Sequence, residues 1–290
     1  MKNENININQ RVSIINEALP YIRQFNKKTF VIKYGGASMT NQSLKKKVVE
    51  DIALLNYVGV LPIIVHGGGP EIDGMLKKLN IPSRFHDGLR ITDEQTIEIV
   101  EMVLTGKVQK ELVGMLNQAG ANAIGLSGKD GNLMTAVKHT AEGMDWGFTG
   151  DVSTMNINVV ETLISQSFLP VISSVAPDET GQSYNINADT VASVLAGNLK
   201  AEKLILLTDT PGILLDKNDK STLLTKITIS EIDDLIKKSI IQGGMIPKVQ
   251  AAIKALEEGV NSVHILDGTL EHVLLLETFT ESGVGTMVVK

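Results

Sequence analysis

Residues 29–36 read Thr-Phe-Val-Ile-Lys-Tyr-Gly-Gly, and residues 61–70 read Leu-Pro-Ile-Ile-Val-His-Gly-Gly-Gly-Pro. Each is a short apolar run of strand length that breaks into glycine, and each is followed by helical spacing, over Ser43 to Tyr57 and over Glu71 to Leu79. The unit recurs. Ala121 to Ser127, Leu169 to Ser173, Lys203 to Thr208 and Val263 to Leu266 read as further buried strands, with Asp93 to Gln118, Ala188 to Leu199 and Lys248 to Glu258 as helices. Strands that alternate with helices predict α/β layers around a largely parallel sheet. In such sheets ligands gather beyond the carboxyl ends of the strands, so the residues just after each run are the first candidates for a site. Two segments interrupt the alternation. Residues 131–153, around Gly143, Gly147 and Gly150, suggest a hairpin over a site, and residues 209–227, with Pro211, Gly212 and the polar stretch Asp216 to Ser221, suggest a loop or hairpin lid.

Composition narrows the function classes. The chain has 290 residues, 43% hydrophobic and 21% charged, with a formal net charge of -6. That balance suits a folded protein with a substantial core and argues against binding to polyanions, which calls for a clustered basic surface. With no cysteine, disulfides and thiolate metal ligands are excluded, and the five histidines show no HExxH spacing. The longest apolar runs fall far short of the roughly 18–20 residues that span a bilayer. Residues 1–10 are Asn-rich and have no apolar core of a secretory signal, so a frayed tail is expected there. Beyond them Val12, Ile15, Leu19 and Ile22 form a helical apolar stripe, which Pro20 should kink.

Five local patterns carry chemistry. Lys33 ends an apolar strand ahead of Gly35 and Gly36, whose backbone can approach an anion; the plain alternative is a snorkelling lysine beside a turn. His66-Gly67-Gly68-Gly69-Pro70 lies at a strand-to-helix junction, where free N–H groups and the helix dipole favour phosphate or carboxylate. Asn185, Asn187 and Asp189 enter a helix: the amides can bind a carboxylate or acyl oxygen and Asp189 can accept from two ammoniums, or the group simply caps the helix. Lys248, after Gly243 and Gly244, stands at a helix start, where a cation calls for an anion. Arg90, in Gly-Leu-Arg-Ile-Thr, offers a fork for a carboxylate, or else a surface ion pair. Neither GxxxxGK[ST] nor a GxGxxG opening a βαβ unit is present. Two lysines, an aspartate, glycine turns and an arginine fit phosphoryl transfer, which needs positioning and charge neutralisation above all.

From about Asn9 to Lys290, the ordered set VIKYGG, HGGGPEID, GLRIT, NINADTVA, LLTDTPGIL and GGMIPKV resembles the N-acetylglutamate kinases of the amino-acid kinase family. The resemblance implies the carbamate-kinase-like fold of that family, an α/β three-layer sandwich with a mostly parallel central sheet and an N-terminal kinked helix. It implies an interlacing helix over 1–28, an N-terminal lobe over 29–180 for the acyl amino acid and dimerisation, and a C-terminal lobe over 181–290 for ATP and regulation. Lys33 and Lys248 are implied as transition-state lysines organised by Asp189, with Gly36 and Gly68 giving N–H groups to the phosphoryl. Gly68, Gly69, Arg90 and Asn185 would bind N-acetyl-L-glutamate, and Thr208, Asp209, Gly212, Ile213, Leu214 and Met245 would border ATP. The metal implied is Mg²⁺ held mainly by the nucleotide phosphates, with no protein ligand. The C-terminal stretch and the N-terminal helix resemble the arginine-inhibited branch, homohexamers built as trimers of dimers, with Tyr21, His264, Glu277 and Gly283 around L-arginine. Thr269 departs from that branch, where many members have arginine. Some oxygenic-phototroph relatives also bind a PII signalling protein, and no nucleic acid or membrane is implied. The setting implied is the cytoplasm, or the plastid stroma for a plastid-encoded chain. Two competing readings are an acetylaminoadipate kinase, whose acceptor is one methylene longer, and a non-catalytic ligand-binding member of the same fold.

Overall fold

The structure, a computed structural model, describes residues 8–141, 143–281 and 283–290. The tail expected to fray over 1–10 lies outside the described residues up to position 7, and from Ile8 the chain is helical. In chain order come α1 (Ile8–Phe25), β1 (Thr29–Tyr34), α2 (Gln42–Tyr57), β2 (Leu61–His66), α3 (Gly69–Lys78), the hairpin β3 (Arg84–His86) and β4 (Leu89–Ile91), α4 (Glu94–Glu101), a π-helical stretch (Met102–Val108), α5 (Gln109–Gln118) and β5 (Ala123–Leu126). They are followed by β6 (Met134–Lys138), β7 (Thr149–Met155), α6 (Asn158–Ser165), β8 (Leu169–Ser173), β9 (Val175–Pro177), β10 (Ser183–Ile186) and α7 (Ala188–Asn198). The chain ends with β11 (Lys203–Thr208), β12 (Lys226–Thr228), α8 (Ile229–Lys237), α9 (Met245–Glu257), β13 (Ser262–Asp267), α10 (Val273–Phe279) and β14 (Thr286–Val289).

Eight strands form the central sheet in the order β12-β14-β13-β11-β1-β2-β8-β5. Every pairing is parallel except that of β13 with β14. Successive side chains of a strand point to opposite faces, and β1 shows what this does. Phe30, Ile32 and Tyr34 enter a core layer with Ile52 of α2, Leu76 of α3, Leu112 of α5 and Leu274 of α10. Val31 enters the other layer, with Val191 and Leu195 of α7 and Val249 and Leu256 of α9. The result is helix, sheet, helix: the expected three-layer α/β architecture. By the same alternation Lys33 shares the side of Val31 and is directed to the α7 layer. A second sheet, β6-β7-β10-β9, joins that layer through Met134, Ala136, Tyr184 and Ile186.

The helix expected over 93–118 is one helical course with a widened middle. Thr105 Oγ1 turns back to the Glu101 carbonyl at 2.7 Å, and Gly106 offers no side chain to resist the wider turn. The stripe over 12–25 belongs to a longer helix, α1, that runs through Pro20, where the hydrogen-bond ladder lacks one N–H. Phe25 of α1 is buried, whereas Val12, Ile14, Ile15 and Leu19 stand 42–63% exposed. Among the described residues no helix is long and apolar enough to cross a membrane.

One buried carboxylate ties the two ends of the fold. Asp51 of α2 is fully buried and accepts from His272 Nδ1 at 2.6 Å and from the Leu274 N–H at 3.3 Å, at the start of α10. Burial pushes its carboxyl above the ordinary value despite the His272 bond, so the site depends on its partners. Asp51→Ala should lower the free energy of unfolding by about 1–3 kcal/mol, because the Leu274 N–H is then buried without an acceptor. Urea unfolding followed by circular dichroism measures it.

Candidate active site

The helix after β1, α2, packs on one face of the sheet, and those after β11, α8 and α9, pack on the other. The β1–β11 pairing is therefore the topological switch of the sheet, where a crevice opens beyond the strand ends. Lys33 is the penultimate residue of β1, at the carboxyl end that borders this crevice, and α7 brings Asp189 beneath it. Lys33 Nζ is 3.0 Å from Asp189 Oδ1, and Lys248 Nζ donates to Oδ2 at 3.1 Å, so one carboxylate holds two ammoniums from separate elements. Burial alone would raise the Asp189 carboxyl, but the charges of Lys33 and Lys248 outweigh it and hold the group below the ordinary carboxylate value. The group is an anion at neutral pH. Asp189 reaches this position because Asn187, not Asp189, caps α7: its Oδ1 accepts from the N–H groups of Asp189 and Thr190. The capping alternative thus describes Asn187, which is not free to bind a ligand through that oxygen.

Glycine loops flank the triad. Lys33 folds over Gly35, where an added Cβ would lie 3.3 Å from Nζ, and Gly36 takes a positive φ of 78° in open space. Gly68 caps α3 without any side-chain cap, so the first N–H groups of that helix are left for an anion. A Cβ on Gly68 would come within 2.7 Å of Leu104 Cδ2, from the π-helical stretch. His66 ends β2 fully buried, and burial lowers its imidazole to about 4, so it stays neutral behind the loop.

Two cavities border the elements that carry the triad: the smaller reaches Asn187 and Ala188, next to Asp189, and the larger reaches Lys248. A small one of about 150 Å³ is lined by Gly68, Gly69, Phe85, Arg90, Leu104 and Asn185. Arg90 lies on β4, shortly before α4, almost wholly buried, and Asn185 on β10 donates to Thr92 Oγ1 at 3.2 Å. The larger cleft, about 810 Å³, is lined by Thr208, Asp209, Gly212, Ile213, Leu214 and Met245, and Lys248 lines it too. Ile213 is buried beside this cleft, and its N–H donates to Thr286 Oγ1 at 2.9 Å. Lys217, Asn218 and Gln242 share this cleft, beyond the residues that the resemblance implies. The polar run 216–221 was the available signal, but a polar loop does not declare which of its residues face inward.

Away from the cleft, His264 Nδ1 lies 2.6 Å from Glu277 Oε1, whose other oxygen accepts from the Val284 N–H at 2.7 Å. A Cβ on Gly283 would lie 3.0 Å from Glu277 Oε2. Lys203, named only as a strand residue, sits with its Nζ 3.1 Å from His264 Nε2 and 5.0 Å from the Phe25 ring, on which Tyr21 stacks. An ammonium only donates, so Nε2 accepts and Nδ1 carries the proton to Glu277. The structure brings Tyr21, His264, Glu277 and Gly283 into one neighbourhood under α1.

The model of the amino acid kinase family matches residues 28–267. The chain is 56% identical over 278 residues to the acetylglutamate kinase of Nostoc punctiforme, covering 96% of this chain and 93% of that one. Among solved structures, N-acetylglutamate synthase from Neisseria gonorrhoeae, complexed with coenzyme A and N-acetyl-glutamate, superposes with a TM-score of 0.86 at 25% identity. The match covers 96% of this chain and 63% of the synthase, so the chain spans under two thirds of that protein. The same synthase complexed with coenzyme A and L-arginine gives a TM-score of 0.81 at 25% identity, over 96% of this chain and 65% of that one.

Proposed function

This chain belongs to the amino acid kinase family and, within it, to the acetylglutamate kinases; it phosphorylates N-acetylglutamate with ATP in arginine biosynthesis, and we propose that Lys33, Asp189 and Lys248 carry the transfer. The observation that supports this reading is the single buried carboxylate holding both ammoniums, with Lys248 also lining the larger cleft. The acceptor lies in the small cavity with its α-carboxylate on Arg90 and its acyl group by Asn185. A side-chain carboxylate oxygen attacks the γ-phosphorus, the bond from that phosphorus to the β,γ-bridging oxygen breaks, and ADP leaves with the electron pair. Lys33 neutralises the charge on the acceptor side and Lys248 that on the donor side, while the N–H groups of Gly36 and Gly68 receive the equatorial oxygens. Asp189 touches no reacting atom and keeps the two ammoniums apart from each other and close to the phosphoryl. Both its oxygens are taken up by the lysines, so it is a poor metal ligand. Mg²⁺ would ride on the β- and γ-phosphates and screen their charge.

Residues 29–180 would then form the acceptor lobe and residues 181–290 the ATP lobe. The exposed stripe of α1 supports a hexamer in which this helix pairs with its equivalent in another dimer. The buried Glu277 carboxylate beneath α1 supports L-arginine as an inhibitor held between α1 and the C-terminal lobe, a reading also favoured by the arginine complex of the related synthase.

A coupled ADP-release assay with N-acetylglutamate, with and without arginine, tests the activity and its control. Acetylaminoadipate in the same assay tests the competing acceptor, since one methylene is worth only about 1–3 kcal/mol of discrimination. Arg90→Lys should raise the KM for N-acetylglutamate about tenfold or more with a smaller change in kcat, because lysine cannot reproduce the planar fork. A change confined to the KM for ATP would show that Arg90 serves the nucleotide and not the acceptor.

A further inference from the structure

The acceptor site contains an arginine that is already engaged, and the pattern of that engagement decides how it can grip a ligand. Arg90 has five N–H groups. Nη1 spends both of its hydrogens within the protein, donating to Asp73 Oδ1 at 2.7 Å and to Ser83 Oγ at 2.5 Å. Ser83 in turn donates to the same Asp73 oxygen at 2.8 Å, which closes a three-membered ring of polar contacts. Nη2 reaches the Gly69 carbonyl only at 3.4 Å, and Nε makes no hydrogen bond among the described residues. The Phe85 ring lies 4.5 Å from the guanidinium carbon and covers one face of the plane. Phe85 and Arg90 both border the small cavity that holds Gly68, Gly69 and Asn185.

A guanidinium binds a carboxylate in parallel either end-on, through Nη1 and Nη2, or side-on, through Nε and Nη2. Here the end-on mode is taken away. We propose that Asp73, supported by Ser83 and Phe85, is a positioning residue that clamps Nη1 and so presents the Nε–Nη2 edge of Arg90 to the α-carboxylate of the acceptor. The inference rests on the assignment of Arg90 to that carboxylate. Asp73 suits the task because of where the chain puts it: it lies on α3, one turn beyond Gly68 and Gly69, while Arg90 lies on the separate hairpin β3–β4. One ion pair therefore joins the glycine loop, which faces the reacting end of the acceptor, to the residue that holds the other end. The edge of Arg90 that meets the acceptor is set by a contact inside the protein before the acceptor arrives, which is the preorganisation that a low KM needs.

A contact that only stabilised the fold, or one in which Asp73 competed with the acceptor for Arg90, predicts different kinetics. Steady-state kinetics on the full chain should show Asp73→Asn raising the KM for N-acetylglutamate about tenfold, with kcat and the KM for ATP within about twofold of the parent. Ser83→Ala should move the same constant in the same direction by less. Combined with Arg90→Lys, Asp73→Asn should add no more than about twofold, because a clamp has nothing left to position once the fork is gone. An unchanged or lowered KM for N-acetylglutamate in Asp73→Asn, or an effect that multiplies fully with Arg90→Lys, overturns the inference. If Arg90→Lys itself leaves that KM unmoved, the assignment of Arg90 has failed and the inference falls with it. Asp73 is half-exposed, so the variant should fold, and an unfolding midpoint near that of the parent separates a kinetic effect from a structural one.

Discussion

Lys248→Ala should lower kcat by about a hundredfold or more, and Lys33→Ala by a similar factor, with each variant still folded. The expectation follows from where the charges stand. Both ammoniums are largely shielded from water, with side-chain exposures of 11% for Lys33 and 19% for Lys248, so bulk solvent screens their action on a phosphoryl group only weakly. Each is also held by one oxygen of Asp189, and no reorganisation is needed when negative charge builds up on the transferring group. Folding should survive because removing one lysine still leaves Asp189 paired with the other. Asp189→Ala is the harsher change: it takes away the shared anion and leaves two cations to repel across the site. The checking measurement is kcat from coupled ADP release at saturating ATP and N-acetylglutamate, beside far-UV circular dichroism. A folded Lys248→Ala variant with near-normal kcat would remove that residue from the mechanism.

Much of this arrangement is legible in the sequence because it depends on short-range rules. An apolar strand that ends in lysine and glycine must deliver the lysine to the sheet edge, and the alternation of β1 puts Lys33 on the same side as Val31. The helix start at Met245 explains why Lys248 needs an anion, and Asp189 supplies one. What stays hidden depends on contacts between distant segments. The clamp on Arg90 joins α3 to a hairpin too short to show a strand period, with three residues in each strand. Lys203 reads as one more strand residue until β11 is paired with β13 and set beside Phe25, which is when its partner His264 is brought within reach. The π-helical widening that lays Leu104 against Gly68 leaves the 3.6-residue pattern of 93–118 almost undisturbed. A different kind of miss is α8. Its capping box, Thr228 with Glu231, lies in plain view just beyond the lid expected over 209–227, yet the helix it starts is not among the expected elements.

Removing residues 1–19 should reduce the proposed hexamer to dimers, leave kcat within about twofold, and weaken arginine inhibition at least tenfold. The cut is placed by the burial pattern of α1. Val12, Ile14, Ile15 and Leu19 stand exposed, and burying such side chains is worth roughly 1.5–3 kcal/mol each, so the stripe is costly to leave in water. Phe25 is another matter: it is buried, packs edge-on against Phe30 and lies under Lys203, and a longer deletion would open the core. Stopping at 19 keeps Tyr21 and Phe25 and takes away the exposed Val12, Ile14, Ile15 and Leu19. Catalysis should persist because Lys33, Asp189 and Lys248 meet in the crevice, with no contribution from α1. Inhibition should fade even though His264 and Glu277 remain, because the proposed inhibitor acts by favouring a ring geometry whose active sites close less readily, a coupling of about 1–3 kcal/mol in typical allosteric systems. Without the ring, arginine has no such equilibrium to shift. Light scattering gives the mass, and an arginine titration of the ADP-release rate gives the sensitivity. A truncated protein that stays hexameric, or one that becomes dimeric yet keeps full arginine sensitivity, shows that α1 does not join the subunits or does not carry the signal.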